Sequence, residues 1–424
     1  MSQLVTGIFS VTGLGLGLWK PRLSWIWFMM AAVGVEIIHA FHPGVAQYGP
    51  WIGVGLGTFL VELKHWQQQW DWIRQNVHYL WWALGYLVVL AIATFLGIDR
   101  SVSIRYAVGV PAVLWVVAVY MPQLVRQGQL SAVKIIQSWA FLGAIFSVSA
   151  GIAAIAFHSG FPVPVGHRVI LAWQWPFANK NTLGLLMALA VPAAFGLIFY
   201  PGNQWGGRGL AIAVTILVLM GDALSYSRSG WIASLIGMGV FTLTYFGRRG
   251  FIGMVIGIPG AAILLVLKTG LKRWTLLWDK GLNGRIVLWK AGLSALHNRW
   301  WFGVGPGNSP QALLPYVPRI YAGLTPQDSI MRTAVELGLI GLGIWLIIVV
   351  GAVVKISLAF WRAKDRRLPR WTTSMVGALL LATLAQQMVE SAFLGGISFG
   401  DFFFTFLIGW VWFVLNSKAL PTLG

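Results

Sequence analysis

Apolar runs follow one another from one end of this chain to the other, separated by short polar breaks. Most runs have about the 20 residues that a helix needs to cross a membrane. Strict alternation is absent, and a helix pairs its own backbone groups in lipid, so helices are favoured over a barrel. The runs are 4–18, 23–40, 49–63, 77–98, 104–122, 134–157, 181–200, 209–226, 229–246, 251–267, 330–354, 371–393 and 399–416. The sequence therefore predicts an all-α integral membrane protein, a polytopic bundle of about 12–13 transmembrane helices.

One polar interval, residues 268–329, breaks this pattern. It is far longer than the roughly 12–15 residues beyond which a loop is usually functional or disordered. It contains five tryptophans and the glycine-rich run GVGPGN at 303–308, so we expect a folded loop. We interpret residues 1–424 as one polytopic membrane domain, with the active site in loop 268–329.

The composition excludes several classes of protein. Of 424 residues, 58% are hydrophobic and only 10% are charged, whereas a soluble domain has about 25% charged residues. No cysteine is present, which excludes disulfides, thiolate metal sites and cysteine nucleophiles. The start MSQLVTGIFS lacks the basic residues of a cleaved signal peptide. The net charge of +19 comes from bases in short loops, so it indicates topology and the lipid bilayer rather than nucleic acid.

The basic breaks predict the orientation. The breaks at 248–249 and 362–370 lie on the same side of the membrane, because two predicted spans separate them. The positive-inside rule places both in the cytoplasm and loop 268–329 on the outer face. That loop nevertheless has eight basic residues against two acidic ones. Topology does not explain this surplus, so we expect an anionic ligand there.

Three predicted helix starts on the outer face carry a cation. Arg228 follows a serine-rich turn in which Ser227 can cap the next helix. Arg285 lies in the first turn of a short amphipathic helix, and Lys180 precedes Asn181 at another helix start. A helix start favours a bound phosphate, and an arginine there can pair with it. The alternative is that these cations reach lipid headgroups.

Two further positions in the second half of loop 268–329 are candidate site residues. The glycines of GVGPGN allow close backbone approach, so we expect Gly305 to contact a ligand; a plain turn is the alternative. Asp328 is either the N-cap of the next helix or a general base. No paired carboxylates of the DxD kind, no phosphate-binding loop and no HExxH motif occur. We therefore expect no metal and no cofactor.

Five stretches, in this order, resemble the O-antigen ligase and polymerase family, the Wzy/WaaL-type bacterial membrane glycosyltransferases. They are PFANKNTLGLLMALAVP, SYSRSGWIASLIG, GRIVLWKAGLSAL, WWFGVGPGN and TPQDSIMRTAVELGLIGL, within residues 176–345. The resemblance implies a GT-C-like fold with one long extracytoplasmic loop. It also implies glycan transfer from undecaprenyl diphosphate to an acceptor glycan or glycolipid, at the periplasmic or extracellular face of the cytoplasmic (inner) membrane. Other proteins of polysaccharide assembly are implied partners.

The resemblance assigns roles to individual residues. The family's two diphosphate-binding arginines fall on Arg228 and Arg285. Beside them we expect Lys180 as an auxiliary cation and Asn181 as a further binding residue. The exposed tryptophans, Trp289 among them, are expected to stack on sugar rings.

The chain departs from the family at one position. The family usually has histidine and then asparagine before the ELGLIG span, and this chain has Gln327 and Asp328. Either Asp328 is the base, with Gln327 orienting the acceptor, or His167 or His297 reaches the site.

Two alternatives remain open. One is a secondary transporter or permease, for which Asp222 is the one suggestive acid and an internal repeat is missing. The other is a non-catalytic member of a polysaccharide assembly complex, which the glutamine at 327 favours.

Overall fold

The helical prediction agrees with the structure. A computed structural model describes residues 60, 66–126, 128, 130–165, 168–177, 179–203, 205–250, 252–253, 283–363, 367–390, 394 and 399–414. Its helices are α1 Trp66–Phe95, α2 Arg100–Ala107, α3 Val110–Trp115, α4 Met121–Arg126, α5 Ala132–Ala156, α6 Lys180–Ile198, α7 Trp205–Ser225, α8 Arg228–Phe246, α9 Asn283–His297, α10 Ser309–Leu313, α11 Ser329–Ala363, α12 Arg367–Gln387 and α13 Phe399–Gly409. Two π-helical segments, Val116–Tyr120 and Trp410–Val414, and two 3₁₀ turns, Leu314–Tyr316 and Arg319–Tyr321, complete them.

Within the described part of the chain, six helices are long and apolar enough to cross a membrane. They are Arg100–Val125, Ala132–Ala156, Lys180–Ile198, Gly206–Ser225, Arg228–Phe246 and Ser329–Arg362. Two shorter apolar helices, Leu80–Phe95 and Gly400–Trp412, coincide with further predicted spans. The prediction of an all-α polytopic membrane protein is therefore confirmed. The predicted spans 4–18, 23–40 and 251–267, and almost all of 49–63, lie outside the described residues.

The chain divides into two compact units. The first takes its described residues from 1–132, 287–355 and 387–424, and the second from 133–286 and 356–386. In the first unit, α9 and the start of α11 share an apolar cluster with the segment between them. Its members are Leu288, Ala291, Ala295, Val304, Leu313 and Val335.

Helix α6 is the centre of the second unit. It packs against both α7 and α8, and most of its side chains are buried. The indole N–H of Trp371 in α12 donates to the carbonyl oxygen of Gly196 (2.8 Å), in the last turn of α6, where carbonyls lack a full set of helical donors. Because α6 is buried on all sides, its first turn, which contains Lys180, is held in a fixed position.

An antiparallel hairpin within the segment before α6 was not predicted. Strand β1, Phe161–Val165, pairs with β2, Arg168–Ala172, so that Phe161 opposes Ala172. Valine and isoleucine favour this pairing. Pro162 and Pro164 are two residues apart, so both lack an N–H on the same edge of β1, where a two-stranded sheet tolerates them. The proline-rich sequence reads as a loop because proline usually breaks strands.

Helix α11 contains a break that the apolar pattern conceals. Gly338 has φ 72° and ψ −174°, a conformation that is essentially restricted to glycine. Beyond the break, the N–H of Leu339 donates to the carbonyl of Trp300 (2.6 Å). Before it, the carbonyls of Val335 and Glu336 accept from Val304 (2.9 Å) and Gly305 (3.0 Å).

The same loop backbone therefore satisfies groups on both sides of the break in α11, groups that an unbroken helix would pair internally. The predicted span 330–354 is one helix by hydropathy and two helical segments by geometry.

Gly338→Ala should destabilise the protein strongly. A methyl group at this position would meet the carbonyl of Trp301, and the backbone conformation alone costs alanine about 1–3 kcal/mol. We expect a lower melting temperature in detergent, measured by fluorescence-detected size exclusion. Gly343→Ala is the matched control, because nothing lies within 4 Å of its added methyl. Equal melting temperatures for the two variants would contradict this account of the break.

Candidate functional site

The three helices predicted to carry a cation at their start, α6, α8 and α9, each have one in their first turn. Asn179 caps α6 by accepting from the N–H of Asn181 (2.9 Å), and Lys180 is the first helical residue. Ser227 caps α8 by accepting from the N–H of Gly230 (3.3 Å), and Arg228 follows it. Arg285 is the third residue of α9. The helix starts lie where the sequence predicts them, and Ser227 caps α8 as expected. At α6 the N-cap is Asn179, and Asn181 is already helical.

The turn between α7 and α8 joins the first two of these helix starts. Tyr226 has φ 52°, unusual for a residue other than glycine, and its carbonyl accepts from Nζ of Lys180 (2.8 Å). A methyl group on Gly184 of α6 would collide with Ser227, so only glycine permits this close approach. Lys180 and Arg228 are thus held on one surface of the second unit.

A buried network of hydroxyl groups fixes the same turn. The hydroxyl groups of Ser227 and Ser229 are 3.2 Å apart, and the amide of Gln386 donates to Ser229 (3.1 Å). The hydroxyl of Ser225 donates to the carbonyl of Asp222 (2.7 Å) and accepts from the N–H of Ser227 (3.1 Å). Gln386 was missed by the sequence analysis; the polar pair Gln386–Gln387 in an apolar helix was the available signal.

The arrangement brings Arg285 near Arg228. The two guanidinium groups, both half-buried, are close enough for one charge to act on the other. Like charges at partly buried positions repel each other, and a bound anion would offset that repulsion. The geometry of the second unit therefore suits an anion with more than one charge.

Asp328 belongs to the first unit and caps α11. Its Oδ1 accepts from the N–H of Met331 (2.7 Å). Burial raises the pKa of this carboxyl above its ordinary value, although the N–H groups of Met331 and Ile330 act in the opposite direction. Asp328 therefore has the N-cap role that was one of its two expected roles. A carboxylate that caps a helix can still accept a proton. Gln327, just before it, has φ 52°.

A buried ion pair one turn further along α11 had no assigned role. Nε of Arg332 lies 3.2 Å from Oε1 of Glu336, and both side chains are almost fully buried. Oε1 also accepts from the hydroxyl of Ser309 (2.6 Å), and Oε2 accepts from the N–H of Gly307 (3.0 Å). Arg332 donates from Nη2 to the hydroxyl of Tyr106 (3.1 Å). Charges four residues apart in an apolar span were the signal in the sequence.

The run GVGPGN is not a plain turn. Gly303, Gly305 and Gly307 all have positive φ, at 69°, 94° and 75°. The backbone at Gly305 packs directly against the backbone at Gly97, since an added methyl on Gly305 would lie 2.7 Å from the Cα of Gly97. The amide of Asn308 donates to the hydroxyl of Ser103 (2.9 Å) and the carbonyl of Asp99 (3.2 Å). Close backbone approach was predicted correctly, and here it is made to the protein.

The remaining predicted residues are not brought together by the described part of the structure. Trp289 is half-buried in α9, and its indole N–H has no hydrogen-bond partner among the described residues. His297 is exposed in the last turn of α9, and His167 lies outside the described residues. Among the described residues, no three His, Cys, Asp or Glu side chains are grouped so that they could hold a metal ion.

These features define an all-α multi-pass membrane protein with a cationic cluster at helix starts and a loop locked to a broken helix. Residues 210–346, which span α7 to the first half of α11, match the family model described as O-antigen ligase. No curated protein matches the chain. The match confirms the resemblance and supports membership of the O-antigen ligase/polymerase family. The match covers about a third of the chain and supports a membrane glycosyltransferase-like role in O-antigen assembly, of the ligase or polymerase kind.

Glu336→Gln should destabilise the first unit by about 3–5 kcal/mol, because it leaves the buried charge of Arg332 without its partner. The double variant Glu336→Gln/Arg332→Met should lose less than the sum of the two single variants. Thermal unfolding in detergent measures all three. Additive losses would show that the pair does not act as a unit.

Proposed function

We propose that the protein transfers a glycan from undecaprenyl diphosphate to a sugar hydroxyl of an acceptor glycan or glycolipid, without a metal ion. The observation that carries this proposal is the cation cluster of the second unit, formed by Lys180, Arg228 and Arg285. The family match supplies the class of reaction. The surplus of basic over acidic residues in loop 268–329 supports an anionic substrate on the outer face of the cytoplasmic membrane.

The cation cluster suits a diphosphate on chemical grounds. Each phosphate carries negative charge, and the start of a helix presents N–H groups and a positive dipole end to it. Guanidinium groups bind phosphate oxygens in pairs of hydrogen bonds, which Arg228 and Arg285 can provide. As the glycosidic bond breaks, charge accumulates on the diphosphate, and groups already in place stabilise that charge most effectively.

Asp328 is proposed as the base, on the evidence of its own surroundings. The acceptor oxygen forms a bond to the anomeric carbon as the bond from that carbon to the diphosphate oxygen breaks. The hydroxyl proton moves to the carboxylate of Asp328, and undecaprenyl diphosphate leaves with the bonding electrons. Attack opposite the diphosphate inverts the anomeric centre. The N–H of Met331 holds the carboxylate in place, and its remaining lone pairs can accept the proton.

A transporter is the second candidate, favoured by one observation. Asp222 lies in α7 and its side chain is buried in the protein. Its Oδ1 accepts no hydrogen bond from the residues that the structure describes. Buried acids in membrane helices often lie on ion pathways. Substrate flux in proteoliposomes without glycan transfer would support this function and contradict the first.

Arg285→Ala and Arg228→Ala should each lower transfer from a purified lipid-linked donor about 100-fold or more, since each removes a cation from the leaving group. Asp328→Asn should lower it by about 100- to 10,000-fold. Product formation by the purified protein in nanodiscs measures these losses. Arg208→Ala, an exposed arginine elsewhere on α7, is the control. Full activity in Arg285→Ala and Asp328→Asn would refute the site.

The pH dependence of transfer should show the raised pKa of Asp328. A base acts only when ionised, and a raised pKa keeps the carboxyl protonated to a higher pH. The rate should therefore fall with decreasing pH above the usual aspartate range, which centres near 3.9. Asp328→Glu should keep an acid limb at a shifted pH. An acid limb that survives in the residual activity of Asp328→Asn would assign the base elsewhere.

A further inference from the structure

An open groove in the first unit has no role in the reaction proposed above. It has a volume of about 560 Å³, within the range of small-molecule sites. One wall is the end of α1 and the residues after it, Phe95, Leu96, Gly97 and Arg100. The other wall is the segment 298–303, which leads into the glycine-rich loop.

Two exposed indoles dominate the groove. Trp300 and Trp301 are 55% and 58% exposed, and their ring centroids lie 5.7 Å apart at 51°. Their backbones are fixed, because their carbonyls accept from Leu339 (2.6 Å) and Ile340 (3.4 Å) beyond the break in α11. A ligand that stacks on these rings meets a backbone already ordered, which reduces the entropy lost on binding.

Polar groups line the groove beside the indoles. Nη1 of Arg299 donates to the carbonyl of Leu96 (2.6 Å), which holds the guanidinium between the two walls. A guanidinium has five N–H donors, so it can bind a ligand as well. The amide of Asn298 and the exposed guanidinium of Arg100 add further donors, and the amide of Asn298 adds an acceptor.

We propose that this groove binds an extended glycan, as a subsite remote from the reacting hydroxyl. Sugar rings have apolar C–H faces that pack on indoles and a rim of hydroxyls that pair with amides and guanidinium groups. A tryptophan belt at the membrane surface would need the exposed rings alone, without a cavity lined by Asn298 and Arg299. The combination of both kinds of group favours a carbohydrate over an acyl chain.

The position of the groove predicts a dependence on glycan length. Trp301 contacts α11 at Gly338, ten residues after Asp328 along the helical segment. At 1.5 Å per residue this separation is about 15 Å. A single sugar bound near Asp328 would not reach the indoles, whereas an oligosaccharide would. The identity of the glycan rests on the proposed function; the groove and its chemistry do not.

The test measures binding without transfer. The probe is the oligosaccharide released by mild acid from lipid-linked glycans of cells that carry this gene, separated by size. Isothermal titration to the full-length protein in nanodiscs should show affinity that rises with length. Trp300→Ala/Trp301→Ala should lower the affinity for the long fractions about 10-fold or more, and the corresponding double phenylalanine variant should recover part of it.

Three further variants make the result specific. Trp361→Ala removes a tryptophan that is 88% exposed outside the groove, and it should bind the glycan as the wild type does. Asp328→Asn should also bind normally, so loss of transfer and loss of glycan binding are separable. Arg100→Ala changes an exposed side chain of the groove and should weaken binding even if the tryptophan variants do not fold.

Unchanged affinity in the folded double alanine variant and in Arg100→Ala would overturn the proposal. Displacement of the glycan by equimolar phosphatidylglycerol would also overturn it and make the groove a lipid site. Failure of the proposed function has a different outcome: no glycan transfer by the wild type, with length-dependent binding retained.

Discussion

The break in α11 at Gly338 is the constraint on which the loop of the first unit depends. A helix that breaks leaves backbone donors and acceptors without helical partners, so other parts of the protein must pair those that are buried. Here the backbone of residues 300–305 does so on both sides of Gly338. The loop is therefore held to α11 by hydrogen bonds between main-chain groups. Glycine is required on both partners, because Gly303 and Gly338 would each collide with the opposing backbone if they carried a methyl group.

The buried pair of Glu336 and Arg332 completes this joint with side chains. The carboxylate of Glu336 receives three partners that include the loop residues Gly307 and Ser309, which offsets the cost of burying its charge. Asp328 begins the same helical segment, so the proposed base and the loop share one rigid support. In the second unit, buried hydroxyl groups and the close approach of Gly184 hold the turn that carries Arg228 in place.

The sequence predicted features that depend on local chemistry. The capping residue Ser227 located the helix start of Arg228, and hydropathy located the described spans, because both signals lie within a few neighbouring residues. Features made by distant residues were missed. The break at Gly338 looked like any glycine in an apolar helix, since only its contact with Trp301 requires the unusual backbone. The loop partners of Glu336 were missed in the same way, because Ser309 and Gly307 lie 27 and 29 residues away along the chain.

The hairpin before α6 has a consequence for how this part of the protein can associate with other chains. On β1, Phe161, Val163 and Val165 alternate with Pro162 and Pro164, so one edge of this strand has no N–H group to offer. An added strand needs donors as well as acceptors from the edge it joins. That edge is closed to strand addition by another chain. Any partner that meets the protein there must do so through side chains, with specificity set by their shapes and charges.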